Sequence, residues 1–268
     1  MARLEEALRS RRDAGGRSFV PYVTGGYAGV DAALLRALAD AGADAIEVGI
    51  PFSDPVMDGG VIQEASAAAL RAGATPADVL RIVAQADVDV PLAVMTYVNP
   101  VHRRGMDVFL DELAAAGVSG LIVPDLPVDE SDELRAAAAA RDVDAVLLAA
   151  PGTDAGRLAE IGGRSRGFVY CVATYGVTGA RDNLEGTARA VVDGLRPVTD
   201  LPLLVGVGIG TPEQAAEACV FADGVVVGSA LMARVVARDL EGAIELAGAF
   251  RRAIPSGEPA SPSPQERV

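Results

Sequence analysis

The 268-residue chain contains no lysine: all 23 of its basic residues are arginine. No side chain can therefore form a Schiff base with a carbonyl substrate or anchor pyridoxal phosphate. That excludes lysine-dependent aldolases and self-contained pyridoxal enzymes. Histidine is reduced to His102, beside Arg103 and Arg104, so a histidine-built metal site is unavailable, and with it the zinc route to aldol chemistry. Tryptophan is absent and cysteine occurs only at Cys171 and Cys219, too few for a disulfide framework and in keeping with a reduced, cytoplasmic protein. No apolar run approaches the roughly 20 residues of a membrane span. The opening "MARLEEALRSRRDAGGRS" carries charge where a secretory signal needs an apolar stretch, and it reads instead as a short amphipathic helix. A net charge of −14 argues against nucleic acid and anionic membranes, which both need clustered positive charge. No cofactor and no metal are expected. Chemistry here has to run on carboxylates, hydroxyls and backbone.

What is present is a weak repeat: a small-residue helix end, an acidic or polar residue, then an apolar strand. It appears as "AGADAIEVGIP", "AGVSGLIVPD", "ARDVDAVLLAAP" and "FADGVVVGSA", with further strands in "SFVPYVT", "PLAVMTY", "GFVYCVA" and "LPLLVGV". Each is followed by a segment of helical spacing, such as "DAALLRALADAG". Strands alternating with helices imply a parallel sheet, and eight such units predict a single-domain α/β protein, a (β/α)8 TIM barrel with an extra N-terminal helix, over residues 1–254. A doubly wound open sheet is the competing arrangement, but no GxGxxG follows the first strand. The Pro/Ser-rich remainder, 255–268, is expected to be a disordered tail.

One strand carries an acid. In "AIEVGI" Glu47 sits among apolar neighbours, and aligning the repeats gives it the register of Ile122, Leu147 and Val226. Alternation turns it away from Ile46 and Val48, into the barrel near its C-terminal end. A structural carboxylate bonded to a neighbouring strand is the bland reading. The cost of burying an unpaired acid, and the habit of this fold of placing catalysis at strand C-terminal ends, favour a catalytic one. The loop "IPFSDPVMDGG" follows directly. Asp54 and Asp58 are each ordinary turn or cap residues when taken singly, but Asp58, expected to reach back toward Glu47, pairs with it as an acid/base candidate. Further on, "VGVGIGTPEQ" and "VVVGSALM" place Gly208, Gly228 and Ser229 where loops after the last two strands commonly hold phosphate. "YGVTGAR" suits a lid, with Gly179 near that phosphate. All five tyrosines, Tyr22, Tyr27, Tyr97, Tyr170 and Tyr175, fall near or beyond strand C-terminal ends, which would suit a flat apolar ring with a polar handle.

The run "IEVGIPFSDPVMDGGVIQ", supported in order by "FVPYVTGG", "LIVPDLPVDES", "YGVTGAR", "GVGIGTPEQ" and "ADGVVVGSA", resembles the tryptophan synthase alpha subunit family. The resemblance implies cleavage of indole-3-glycerol phosphate to indole and glyceraldehyde 3-phosphate, with indole passed to a pyridoxal-phosphate beta subunit in an αββα assembly. It makes Glu47 the general acid/base, Asp58 the acid on the indole N–H, and Tyr170 a tyrosine beside the catalytic glutamate. Gly179, Gly208, Gly228 and Ser229 become the phosphate cradle, and Tyr22, Ile62, Tyr97, Ile122 and Val207 the ring pocket. Thr178 becomes the lid threonine that contacts loop 2, with Asp54 and Gly176 on the lid and interface surfaces. The chain departs from the family pattern at Gly60, where Pro is frequent, at Tyr22 and Val207, where Phe is frequent, and at Tyr27, where aspartate is common. The changes in loop 2 and the lid leave open a stand-alone lyase without a beta subunit. A regulatory subunit without chemistry has the intact Glu47 and Asp58 against it, and a phosphosugar isomerase on the same barrel requires the resemblance to mislead.

Overall fold

The computed structural model describes residues 3–173 and 184–257. Among them, eight parallel strands pair in chain order and close on themselves: β1 (Ser18–Thr24), β2 (Ile46–Gly49), β3 (Leu92–Met95), β4 (Val118–Ile122), β5 (Asp144–Ala149), β6 (Val169–Val172), β7 (Leu203–Gly206) and β8 (Gly224–Val227). The expected TIM barrel is the observed one. Helices α1 (Leu4–Asp13), α2 (Ala32–Asp40), α3 (Gly60–Arg71), α4 (Pro76–Ala86), α5 (Val98–Arg104), α6 (Met106–Ala115), α7 (Asp132–Ala139), α8 (Ala155–Arg164), α9 (Leu184–Leu195), α10 (Pro212–Ala218), α11 (Ser229–Val236) and α12 (Leu240–Ala253) accompany them. No helix among the described residues is long and apolar enough to cross a membrane.

Two apolar cores result. Ile46, Val48, Val94, Leu121, Val205 and Val225 point outward into the helix layer, while Val20, Ala45, Ala93, Ile122, Val146, Leu204 and Val226 fill the barrel. Glu47 and Ile122 face inward as expected. Leu147 does not: it belongs to the outer core, and Leu148 packs inside instead. A strand buried on both faces is apolar at every position, so its sequence does not reveal its phase.

The acids at the starts of β2, β5 and β8 have a structural use. Asp44, just ahead of β2, accepts the Phe19 amide at 2.8 Å and is held by Arg11 and Arg251. Asp223, ahead of β8, accepts the Leu203 amide at 2.8 Å and takes a two-pronged bond from Arg196. Asp144 accepts the Glu5 amide at 3.1 Å. These carboxylates staple strand starts to their neighbours at the N-terminal end. The same end is closed by α1, whose Leu4 and Leu8 are fully buried inside the barrel. A methyl group on Gly120 would collide with Leu4 at 2.4 Å. Of the expected tail, Pro255 accepts the Arg17 amide and Ser256 accepts from Arg11; residues 258–268 lie outside the described residues.

Candidate active site

The mouth of the barrel collects the polar groups that the interior otherwise excludes. Glu47 is 1% exposed on the inner face of β2, with Tyr22 of β1 opposite it in one direction and Ala93 of β3 in the other. Its Oε2 has no hydrogen-bond partner among the described residues. The structural reading of this acid required a bond to a neighbouring strand, and the contrast with Asp44 and Asp223 is direct: those acids are bonded, this one is not. A buried polar atom without a partner signals a group kept ready for something else.

Loop residues 50–59 fold back over the strand end. Asp58 is half-buried there, its amide bonded to the Pro55 carbonyl and its carbonyl accepting from Gln63 of α3 at 2.9 Å. It does not cap α3; that position belongs to Gly59, which has no side chain to give. Tyr97, 1% exposed just beyond β3, ties the loop down. Its hydroxyl accepts the Met57 amide at 3.1 Å, and its ring stacks on Phe52 at 4.9 Å.

Burial raises the pKa of Glu47 to about 8, and the negative field of Asp58 adds to it. Burial likewise lifts Asp58 to about 7, opposed by a hydrogen bond with Tyr97. Two carboxyls in one field titrate as a pair. Near neutral pH they therefore share protons, the condition in which one is an acid and the other a base.

Two tyrosines lean over strand glycines to reach this centre. The Tyr22 hydroxyl lies 2.1 Å from where a β-carbon on Gly49 would stand, and the Tyr170 hydroxyl 2.4 Å from that of Gly206. Tyr170, on β6, feels Glu47 as its strongest charged neighbour. Sequence reasoning did not single out Gly49, Gly206 or Phe52, although all three stand in or beside quoted motifs. Their role depends on which ring crosses which strand.

On the other side of the mouth, Val207 has φ +63° and Gly208 φ +110°. A β-branched residue in the left-handed region is strained, and such strain concentrates at functional sites. Gly228 and Ser229 open α11, with Gly228 close to Tyr22 and Ile62 and Ser229 close to Gly59. Ile122 is buried in the barrel core, while Asp54 is exposed and accepts from Ser53. The structure thus gathers Glu47, Asp58, Tyr22, Tyr97 and Tyr170 around one centre and sets Val207, Gly208, Gly228 and Ser229 at the strand ends beside it. Tyr175, Gly176, Thr178 and Gly179 lie outside the described residues.

Residues 8–251 match the sequence family described as "Tryptophan synthase alpha chain". A protein of that name from Carboxydothermus hydrogenoformans is 44% identical over 236 residues, 87% of this chain and 88% of the relative. One from Synechococcus elongatus is 40% identical over 259 residues, 95% and 97% of the two chains. Among solved structures, Mycobacterium tuberculosis tryptophan synthase superposes with a TM-score of 0.88 at 39% identity, covering 96% of this chain and 99% of that one. The alpha subunit from Legionella pneumophila gives 0.84 at 33%, covering 94% and 98%. This chain belongs to the tryptophan synthase alpha chain family.

Proposed function

We propose that the protein cleaves indole-3-glycerol phosphate to indole and glyceraldehyde 3-phosphate, with Glu47 and Asp58 moving the protons. The observation that carries this is the unpartnered Glu47 carboxyl inside a lysine-free barrel, sharing its field with Asp58. Breaking the bond between ring C3 and the glycerol chain needs an electron sink. Indole supplies its own: once C3 is protonated, the ring nitrogen accepts the electron pair, and no iminium or metal is required. Glu47, held protonated by burial, gives its proton to C3. As the carboxylate, it takes the proton from the glycerol hydroxyl while the carbon–carbon bond breaks and the aldehyde forms. Ionised Asp58 accepts the indole N–H and stabilises the positive charge that develops there.

Tyr170 lies beside Glu47 in this scheme, and Tyr22, Tyr97, Ile62, Ile122 and Val207 surround the ring. Gly208, Gly228 and Ser229, together with Gly179, offer backbone amides to the phosphate. Val56, 78% exposed on the loop that carries Asp58 and uncovered among the described residues, gives that loop an apolar face for a partner. The inferred partner is a tryptophan synthase beta chain in a cytoplasmic αββα assembly, with Asp54, Gly176 and Thr178 on the coupling surface.

The test is indole release from purified protein and indole-3-glycerol phosphate, with and without a beta chain. Release should be slow alone and faster with the partner. Glu47→Gln should lower it by about 10²–10⁴-fold. No release under either condition overturns the reading.

A further inference from the structure

The Tyr22 hydroxyl is buried at the centre of the candidate site with only a long hydrogen bond among the described residues. That bond, to the Thr24 hydroxyl at 3.4 Å, is long beside the ~2.7–2.8 Å usual for a hydroxyl bond. Buried phenols normally find a partner. Glu47 is the direct neighbour of Tyr22 on the β1–β2 ladder, and its Oε2 has no hydrogen-bond partner among the described residues. The position of the hydroxyl is fixed by Gly49, two residues beyond Glu47 on the same inner face, whose missing side chain leaves the space it fills. The phenol oxygen therefore sits above Glu47, on the side from which the loop bearing Asp58 descends.

We propose that Tyr22 is a positioning residue whose hydroxyl turns from Thr24 during turnover to donate to whichever of Glu47 and Asp58 is ionised, steadying the one-proton state of the pair. The proposal rests on the acid/base reading of these two carboxyls. Burial first, then Asp58, raises the Tyr22 pKa well above its ordinary value, and Glu47 and Tyr97 act in the same direction. The phenol is thus a donor throughout the working range, never a competing base. Glu47 faces it from β2, Asp58 from the loop, Tyr97 from beyond β3 and Tyr170 from β6. Gly228, at the start of α11, lies against the Tyr22 ring with Ile62 of α3 beside it, and neither carries a charge.

A donor to an ionised carboxylate lowers its pKa, so its removal moves the acid limb of the rate profile toward higher pH. Tyr22→Phe keeps the ring and its packing. It should reduce kcat about tenfold near neutral pH, as loss of a charge-assisted hydrogen bond does, and move the acid limb of kcat/KM up by about half to one pH unit, with KM within about twofold. A purely structural ring predicts an unchanged pH profile, and that result, with wild-type protein still releasing indole, overturns the proposal while leaving the proposed reaction standing. Should the phenylalanine variant fail to fold, site-specific difluorotyrosine at position 22 supplies a stronger donor. The acid limb must then move to lower pH, and no movement again overturns the assignment.

Discussion

Asp44 and Glu47 lie three residues apart on one short stretch and meet opposite fates. Asp44, at the start of β2, is bonded by two arginines and a backbone amide. Glu47 has burial as the first cause of its perturbed pKa and no cation to offset it. Breaking a group such as Asp44 would leave the largely buried Arg251 without its carboxylate, which is a stability defect. Altering Glu47 removes a burden. With its folded pKa raised, the native state binds a proton that the unfolded chain has already released. Glu47 therefore subtracts nothing below the ordinary carboxyl range and progressively more as pH climbs through about 8. Glu47→Gln should match wild type in thermal midpoint near pH 5 and exceed it by several degrees, roughly, at pH 8.5. A difference that does not change with pH would show that the carboxyl is already ionised without cost.

At the scale of the element, the strands were legible because each is a compact apolar run between small or polar residues. Glu47 was legible because it breaks such a run. The phase of β5 was not: Leu147 and Leu148 are both apolar, and only barrel closure decides which one turns inward. Nor was the use of strand glycines legible, since it depends on rings crossing from a neighbouring strand. Gly206 shows what hangs on this. An added methyl would lie 2.4–2.6 Å from three atoms of the Tyr170 ring and hydroxyl, a stiff group that cannot bend aside. Gly206→Ala should cost about 1–3 kcal/mol of stability by overpacking and lower the rate of indole release, read by denaturant titration and by turnover. A variant as stable and as fast as wild type would mean that Tyr170 does not occupy that space. Tyr97 likewise reads in sequence as a pocket residue, but it also holds the loop through the Met57 amide. A side-chain bond to a backbone forty residues away in sequence leaves no local signal.

The whole molecule divides labour between its two ends. The N-terminal end carries bonded acids and the buried α1 leucines; the C-terminal end carries strain at Val207 and the unpartnered carboxyl. Stability and chemistry should therefore separate under mutation. Leu8→Ala, at a fully buried position far along the chain from the carboxyl pair, should lose about 2–5 kcal/mol in urea unfolding. At low temperature it should keep the wild-type KM and kcat per folded molecule. A change in KM would tie the two ends together.

The α1 plug has one more implication. A cylinder stoppered at its base is a vessel with a single opening. Reactant, both fragments and any exchanging water must all pass the same rim, so whatever settles on that rim governs arrival and departure together. A ring freed by the proposed cleavage has no way out through the base; it leaves past the rim.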